Sequence, residues 1–229
     1  MGKRGRFAKV SLPVIWVHTR MRKDPYRVKA RLYDAFVEPI STTIRQIGLK
    51  MYTPVKGALI LDVGCGTGTN LNLYQKAGCK VYGIDSSPAM LDIAREKLGK
   101  RAELRIGDAS QMPYPDDLFD LVTVMLTLHE MPSQIRADVI SEIFRVMKDD
   151  GRVLLIDYHP GPIRFPKGWY YKIIILLFEI AAGIEHYRNY RDFLEKDGLP
   201  SLYKSQELIL DKKKIISGGN LGLFLLRQG

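Results

Sequence analysis

A glycine-rich turn directly after a short apolar run is the most informative feature of this sequence. Residues 59–63 are apolar except for Asp62, and Gly64, Gly66 and Gly68 follow at alternate positions. Glycine tolerates positive φ angles and lets the backbone approach a ligand closely. In such a turn between a strand and a helix, backbone N–H groups face a crevice beyond the strand ends. The pattern therefore predicts a ligand-binding loop.

The details of this turn weigh against a phosphate ligand. The dinucleotide pattern G-x-G-x-x-G needs a third glycine where Thr69 stands, and no Gly-Lys-Ser/Thr run follows as in a P-loop. The acid ahead of the loop, Asp62, suits a cationic ligand group better than a phosphate. A nicotinamide-dependent dehydrogenase is therefore disfavoured.

Two more acids follow the next predicted strands. Asp85 ends the second strand, where a carboxylate can accept hydrogen bonds from both hydroxyls of a ribose. Asp108 follows the third strand, where it can accept a hydrogen bond from an adenine amino group. Together with the loop, these acids predict a nucleoside-containing ligand.

Three histidines are candidates for proton transfer or for contact with a second substrate. His129 follows the predicted fourth strand, His159 follows the fifth, and His186 begins the helix after an apolar stretch. The alternative for each is a polar group satisfied at the end of an element. The two cysteines and four histidines lack the spacing of metal ligands, so no metal site is expected.

Alternating strand and helix patterns indicate the elements that must position these residues. Strands are predicted for residues 58–63, 80–84, 102–106, 119–126 and 152–158. Helices are predicted for residues 24–50, with an allowance for a break at Pro39, and for residues 69–77, 88–98 and 134–147. This alternation indicates a parallel sheet with helices on both faces. Residues 207–216 and 221–227, separated by a Ser-Gly-Gly-Asn turn, predict a terminal antiparallel hairpin.

Four segments, at residues 61–70, 83–91, 107–114 and 119–131, resemble the class I S-adenosylmethionine-dependent methyltransferases. The resemblance is to the group that includes the ubiquinone and menaquinone C-methyltransferases, and it covers about residues 58–158. It implies an α/β fold with a Rossmann-like, doubly wound, seven-stranded sheet that is mostly parallel and ends in a C-terminal antiparallel hairpin. It also implies an enzyme that transfers a methyl group from S-adenosyl-L-methionine.

The resemblance assigns a role to individual residues. Those implied to bind the cofactor are Tyr33, Asp62, Gly64, Cys65, Gly66, Thr67, Gly68, Asn70, Asp85, Ser86, Met90, Asp108, Ala109 and Met125. Among them, Asp62 and the loop would hold the methionine part, Asp85 the ribose and Asp108 the adenine. Met125 and His129 would border the sulfonium, and Tyr33 could close over the cofactor.

Composition and charge suggest a single main domain with a basic arm. Of the 229 residues 46% are hydrophobic and 26% charged, which excludes a disordered chain. Residues 1–31 carry ten basic side chains and one acid, so they supply +9 of the formal net charge of +10. We expect a basic arm and helical cap at residues 1–50, and a cofactor-binding domain at 51–229 with a helical insertion at about 160–199.

The insertion points to an apolar methyl acceptor. Residues 169–184 are apolar apart from Lys172 and Glu179, and the run is too short to cross a bilayer. It is therefore expected to be a buried helix or a helix that faces something apolar. An apolar lining indicates a quinone-like or lipid acceptor, and the basic arm could bind an anionic membrane surface.

Other interpretations remain open at this stage. The basic arm could instead serve a nucleic-acid (RNA) or protein methyltransferase, although no Asn/Asp-Pro-Pro-Tyr or Pro-Cys pair is present. A non-catalytic cofactor-binding protein is a further alternative. Two cysteines and the absence of a cleavage site after residues 10–17 suggest a cytoplasmic protein, peripheral at the inner membrane face. The sequence does not indicate an oligomeric state.

Overall fold

The computed structural model describes residues 30–204 and 208–229, with backbone alone for residues 30–40 and 203–204. The basic arm up to residue 29 therefore lies outside the described residues, as does the apolar run at residues 10–17. The side chain of Tyr33 is also outside them, although its backbone belongs to the first helix.

Seven strands form one sheet, as predicted. They are β1 (Leu59–Val63), β2 (Lys80–Asp85), β3 (Ala102–Ile106), β4 (Phe119–Met125), β5 (Met147–Tyr158), β6 (Ile209–Ile216) and β7 (Leu221–Arg227). Their order across the sheet is β3-β2-β1-β4-β5-β7-β6. The first five strands are parallel, and β7 pairs antiparallel with both β5 and β6. The predicted terminal hairpin is thus confirmed.

Seven α-helices accompany the sheet in the described part of the chain. They are α1 (Ala30–Met51), α2 (Thr69–Lys76), α3 (Pro88–Leu98), α4 (Ser133–Val146), α5 (Lys167–Ala182), α6 (Ile184–Glu195) and α7 (Gly198–Lys204). Buried apolar residues form two clusters, one on each face of the sheet. One includes side chains from α1, α2 and α3, and the other includes side chains from α4, α6 and α7. This doubly covered sheet brings the carboxyl ends of β1, β2, β4 and β5 to one edge.

Two details differ from the sequence predictions. Helix α1 continues through Pro39, because one missing backbone hydrogen bond does not interrupt a helix of 22 residues. Strand β5 begins at Met147, five residues earlier than predicted, with an irregular register opposite Phe119. Gly151 permits this irregularity, since a Cβ there would lie 3.0 Å from the carbonyl oxygen of Phe119.

Helix α5 is the least buried of the predicted apolar segments. Only Gly168 and Glu179 are buried along it. Large apolar side chains that are more than half exposed lie on α5 and just beyond it, namely Trp169, Tyr170, Ile173, Leu177, Phe178, Ile180 and Ile184. The interpretation as a buried helix is therefore wrong, and the alternative of a helix facing an apolar partner remains. Among the described residues, no helix has the length and apolarity to span a membrane.

Candidate active site

The glycine-rich loop between β1 and α2 has the predicted left-handed backbone. The φ angles are +69° at Gly64, +52° at Gly66 and +73° at Gly68. The N–H of Gly66 donates to Oδ2 of Asp85 at 2.8 Å, which ties the loop to the end of β2. The loop and Asp85 are therefore in direct contact at the ends of neighbouring strands.

Gly64 and Gly66 differ in what surrounds them. A Cβ at Gly64 would lie 2.5 Å from the side chain of Thr127, so this glycine is needed for close packing against the end of β4. A Cβ at Gly66 would meet no atom within 4 Å. The space over Gly66 is open, and it lies beside the carboxylate of Asp85.

Asp62, at the end of β1, is buried and held by neutral donors. Its Oδ1 accepts hydrogen bonds from Oγ1 of Thr123 at 2.5 Å and from Nδ2 of Asn70 at 3.1 Å. Burial raises the pKa of Asp62 to about 7, against the opposing effect of these two hydrogen bonds. A cationic ligand group would favour the ionised form of this carboxylate.

The turn after β2 is organised by Asp85 and Ser87. Oδ1 of Asp85 accepts from the N–H of Ser87 at 2.8 Å, and Oγ of Ser87 caps α3 by accepting from the N–H of Met90 at 3.2 Å. Ser87 is therefore the residue that caps α3, while Ser86 is exposed. Met90 is buried at the start of the helix.

The remaining loop and adenine-side residues divide into exposed and buried groups. Asp108 is exposed, and its carboxylate accepts from the N–H and the hydroxyl of Ser110, both at 2.8 Å. Ala109 packs against the core. Cys65 turns its side chain into the apolar core and Thr67 is also buried, so Cys65 offers a ligand its backbone alone.

His129, in the turn after β4, and Asp157, near the end of β5, form a buried pair. Nδ1 of His129 lies 2.7 Å from Oδ1 of Asp157. Oδ2 of Asp157 also accepts from the backbone N–H groups of Leu128 and His129, at 3.0 and 3.2 Å. Burial alone lowers the pKa of His129, but the Asp157 carboxylate outweighs it and raises that pKa to about 9.

Glu179, from the otherwise exposed helix α5, completes a cluster with both His129 and His186. Its Oε1 is 3.5 Å from Nε2 of His129 and accepts the Tyr158 hydroxyl at 2.7 Å. Its Oε2 is 2.9 Å from Nε2 of His186. A carboxylate oxygen of Glu130 lies 3.9 Å from the same His186 nitrogen. Two of the three predicted histidines are therefore brought together.

His159 stands apart from this cluster. Its Nδ1 accepts from the N–H of Gly161 at 3.2 Å, and its ring stacks on Phe224. Burial lowers the pKa of His159, and the positive charge of Lys213 lowers it further. It lines a separate cleft of about 430 Å³ with Arg164 and Lys213. A role with the other two histidines is not supported by this position.

Sequence reasoning missed Asp157, Glu179 and Tyr158. Asp157 carries no distinguishing motif, because its partner His129 is 28 residues away in the chain. Glu179 did leave a signal, since it is the only acid within the apolar run at residues 169–184. A lone carboxylate in an apolar helix is usually paired or functional.

Comparisons with known proteins agree with this geometry. Residues 61–155 match the family described as "Methyltransferase domain". The chain is 31% identical over 176 residues to a demethylmenaquinone methyltransferase of Geobacillus sp. (strain WCH70), covering 70% of this chain and 74% of that protein. It is 38% identical over 132 residues to a phosphatidylethanolamine N-methyltransferase of Cereibacter sphaeroides, covering 56% of this chain and 63% of the relative.

A solved structure supports the fold independently. A SAM-dependent methyltransferase from Aquifex aeolicus superposes with a TM-score of 0.60 at 20% sequence identity. The superposition covers 89% of this chain and 98% of that protein. At this level of identity the likeness concerns the architecture alone.

Proposed function

The chain belongs to the class I S-adenosylmethionine-dependent methyltransferases of the menaquinone-methyltransferase-like group, and we propose that its acceptor is a hydrophobic small molecule taken from a membrane. The acceptor class is a quinone-like or lipid molecule with a polar end. The observation that carries this proposal is that α5 combines one buried carboxylate with an exposed apolar surface. The helix places Glu179 beside His129 and His186, while most of its other side chains are exposed and apolar.

The described residues fit the cofactor. The open space over Gly66 leaves room for a ligand, and Asp62 offers a buried carboxylate to a cationic group. We assign the methionine part to Asp62 and the loop, and the ribose to Asp85. When bound, S-adenosylmethionine supplies a methyl group activated on a sulfonium. The protein must then align the acceptor and exclude water.

We assign the acceptor's polar end to the buried cluster of His129, His186 and Glu179. The hydrogen bond to Asp157 fixes the His129 ring, so that its Nε2 is directed towards Glu179 and away from the sheet. Nε2 of His129 and Nε2 of His186 are the atoms that can hold a proton near the acceptor. An acceptor hydroxyl or amine that loses its proton as the new bond forms would find its partner here.

The exposed apolar side chains of α5 support contact with a membrane. Ile173, Leu177 and Ile180 recur at helical spacing along α5 and are each more than half exposed. An apolar face of this kind is typical of helices that lie in the bilayer interface. Peripheral binding would place the entrance to the cluster next to lipid-soluble molecules, and the basic arm at residues 1–31 would add attraction to anionic lipid.

The names of the relatives are consistent with such an acceptor. One relative is a demethylmenaquinone methyltransferase and another is a phosphatidylethanolamine N-methyltransferase. A lipid-soluble quinone and a phospholipid both combine a polar reacting end, which is the ring or the head group, with a long apolar tail. That combination matches a buried polar cluster behind an apolar helix.

The test is a choice between defined acceptors. The full chain is incubated with labelled cofactor and vesicles that contain either a demethylated naphthoquinol or phosphatidylethanolamine. Label in one of these lipids identifies the acceptor within the proposed class. Label in neither, together with transfer to RNA or protein in a parallel assay, would overturn the proposal.

A further inference from the structure

The cluster of His129, His186, Glu179 and Glu130 has the composition of a metal centre. One ligand atom each from His129, Glu130 and His186 lies within 4.8 Å of the other two. The four residues of the cluster come from three elements: the turn after β4, α5 and α6. We propose that this cluster binds a divalent transition metal ion, of the kind that accepts imidazole and carboxylate ligands together.

Glu179 provides the strongest indication of a ligand. The residue is only 4% exposed, and its Oε2 has no hydrogen-bond partner among the described residues. It lies 2.9 Å from Nε2 of His186, the distance of an ion pair. A carboxylate buried this deeply needs a positive charge beside it, which either a protonated His186 or a metal ion would supply.

The distances around Glu179 already suit a metal. In a four-coordinate zinc centre, bonds of ~2.0–2.1 Å place neighbouring ligand atoms ~3.3 Å apart. Oε2 of Glu179 lies 2.9 Å from Nε2 of His186, and Oε1 of Glu179 lies 3.5 Å from Nε2 of His129. A carboxylate oxygen of Glu130 lies 3.9 Å from Nε2 of His186 and is a further candidate ligand.

The contact between His129 and Asp157 is the arrangement that supports metal-bound histidines. A ligating histidine commonly donates its other ring N–H to a carboxylate, which fixes its tautomer and orientation. Here Asp157 takes that role at Nδ1 and is itself held by backbone N–H groups. A metal ion that displaced the proton from Nε2 of His129 would bind the lone pair of that nitrogen.

The charge of the cluster also calls for cations. The carboxyl groups of Asp157 and Glu179 are buried beside the two histidines, and that of Glu130, which is about one third exposed, lies next to them. Two protons, one on each histidine, or one divalent cation would add the same charge of +2. A metal competes with these protons for the same Nε2 atoms, so direct measurement distinguishes the two states.

A role for this metal in methyl transfer rests on the proposed function. The proposal that the cluster binds a metal does not. A four-coordinate centre with three protein ligands keeps its fourth position for a further ligand, and an acceptor oxygen is the natural candidate. No short motif indicates this site in the sequence, because its ligands are contributed by separate elements.

The test measures binding of Zn²⁺ and Co²⁺ to the full chain without an affinity tag. After removal of metal with a chelator, we expect one equivalent by calorimetry and elemental analysis, and visible Co²⁺ absorption bands. Glu179→Gln and His186→Ala should each weaken binding at least about tenfold. The control His159→Ala, which removes a histidine outside the cluster, should bind metal as the unmodified chain does.

Three results would overturn the proposal: no saturable binding, binding unchanged in both cluster variants, or loss of binding in His159→Ala alone. Thermal unfolding of each variant shows whether it is folded, and His186, on the more accessible side of the cluster, provides the milder substitution. Stoichiometric metal binding without any effect of metal on methyl transfer would leave the site standing and refute its role towards the acceptor.

Discussion

Nδ1 of His129 lies 2.7 Å from Oδ1 of Asp157, and both residues are almost completely buried. The pair joins the ends of two neighbouring parallel strands, β4 and β5. Asp157 accepts hydrogen bonds from three backbone N–H groups, those of Leu128, His129 and Tyr158, in addition to its contact with the histidine ring. It therefore fixes the position of the His129 ring, which we assign to the acceptor side of the proposed site.

Replacing this carboxylate should damage turnover more than cofactor binding. In Asp157→Asn, an amide NH₂ would face at least one of these donors, so we expect a loss of about 3 kcal/mol in unfolding free energy. Methyl transfer should fall at least about 100-fold, because His129 loses its orientation. Urea denaturation and calorimetry with S-adenosylhomocysteine measure the two effects separately.

The control for this variant is Asp116→Asn, which breaks an exposed ion pair with Arg145. It should change the unfolding free energy by less than about 1 kcal/mol. Turnover of Asp157→Asn equal to that of the unmodified chain would refute the positioning role.

Alanine at Gly64 and at Gly66 should give opposite phenotypes. Gly64→Ala creates a contact with Thr127 at about 2.5 Å and should destabilise the fold by more than ~2 kcal/mol. Gly66→Ala meets open space, so it should cost only about 1 kcal/mol for the left-handed backbone. It should nevertheless weaken cofactor binding, because the methyl group enters the space assigned to the cofactor. Equal affinity in Gly66→Ala would place the cofactor elsewhere.

Asp62 should make the stability of the cofactor-free protein depend on pH. Its pKa in the folded state is about 7, above the ordinary value of 3.8, so the folded state binds this proton more tightly than the unfolded state. This stabilisation is complete below pH 3.8 and is lost as pH rises through about 7. Between pH 5 and pH 8 the loss amounts to roughly 2.5 kcal/mol.

The variant Asp62→Asn tests this pH dependence. Asparagine keeps an oxygen for Thr123 and Asn70 but does not titrate, so the difference in stability between variant and unmodified chain should shift in favour of the variant from pH 5 to pH 8. The variant should also lose cofactor affinity at every pH. A stability difference that does not change with pH would contradict the raised pKa.

The apolar face of α5 should be required for membrane binding. The double variant Ile173→Glu and Leu177→Glu should reduce sedimentation with anionic vesicles about tenfold or more, because charged side chains replace apolar ones in the bilayer interface. Since both side chains are exposed, stability should change little. The matched control is Val55→Glu, which alters an equally exposed apolar side chain near the opposite end of β1.

Local patterns were sufficient to predict the strands and the turn to which we assign the cofactor. The loop at Gly64–Gly68 and the acids Asp62 and Asp85 occupy strand ends, whose positions follow from short apolar runs and turn residues. Their meeting at one edge of the sheet is a consequence of parallel strand order, which the alternation of strands and helices already indicates. The contact of Asp85 with the Gly66 N–H is one result of that order.

The acceptor half could not be predicted in the same way. His129, Glu179 and His186 meet through the packing of α5 and α6 over the turn after β4, and no sequence period specifies that packing. His159 occupies a strand end just as His129 does, yet its ring turns to Phe224 instead. The exposure of α5 could not be predicted from the sequence either, because an apolar run has the same composition whether it faces a core or a partner.

The most direct test of the proposed acceptor class is methyl transfer from labelled S-adenosylmethionine into an extract of the source cells, followed by partition between solvent and water. We predict that the label enters the organic phase and that Asp62→Asn abolishes this incorporation. Label confined to water-soluble, protein or nucleic-acid fractions would contradict the account of α5 as the route to a lipid-soluble acceptor.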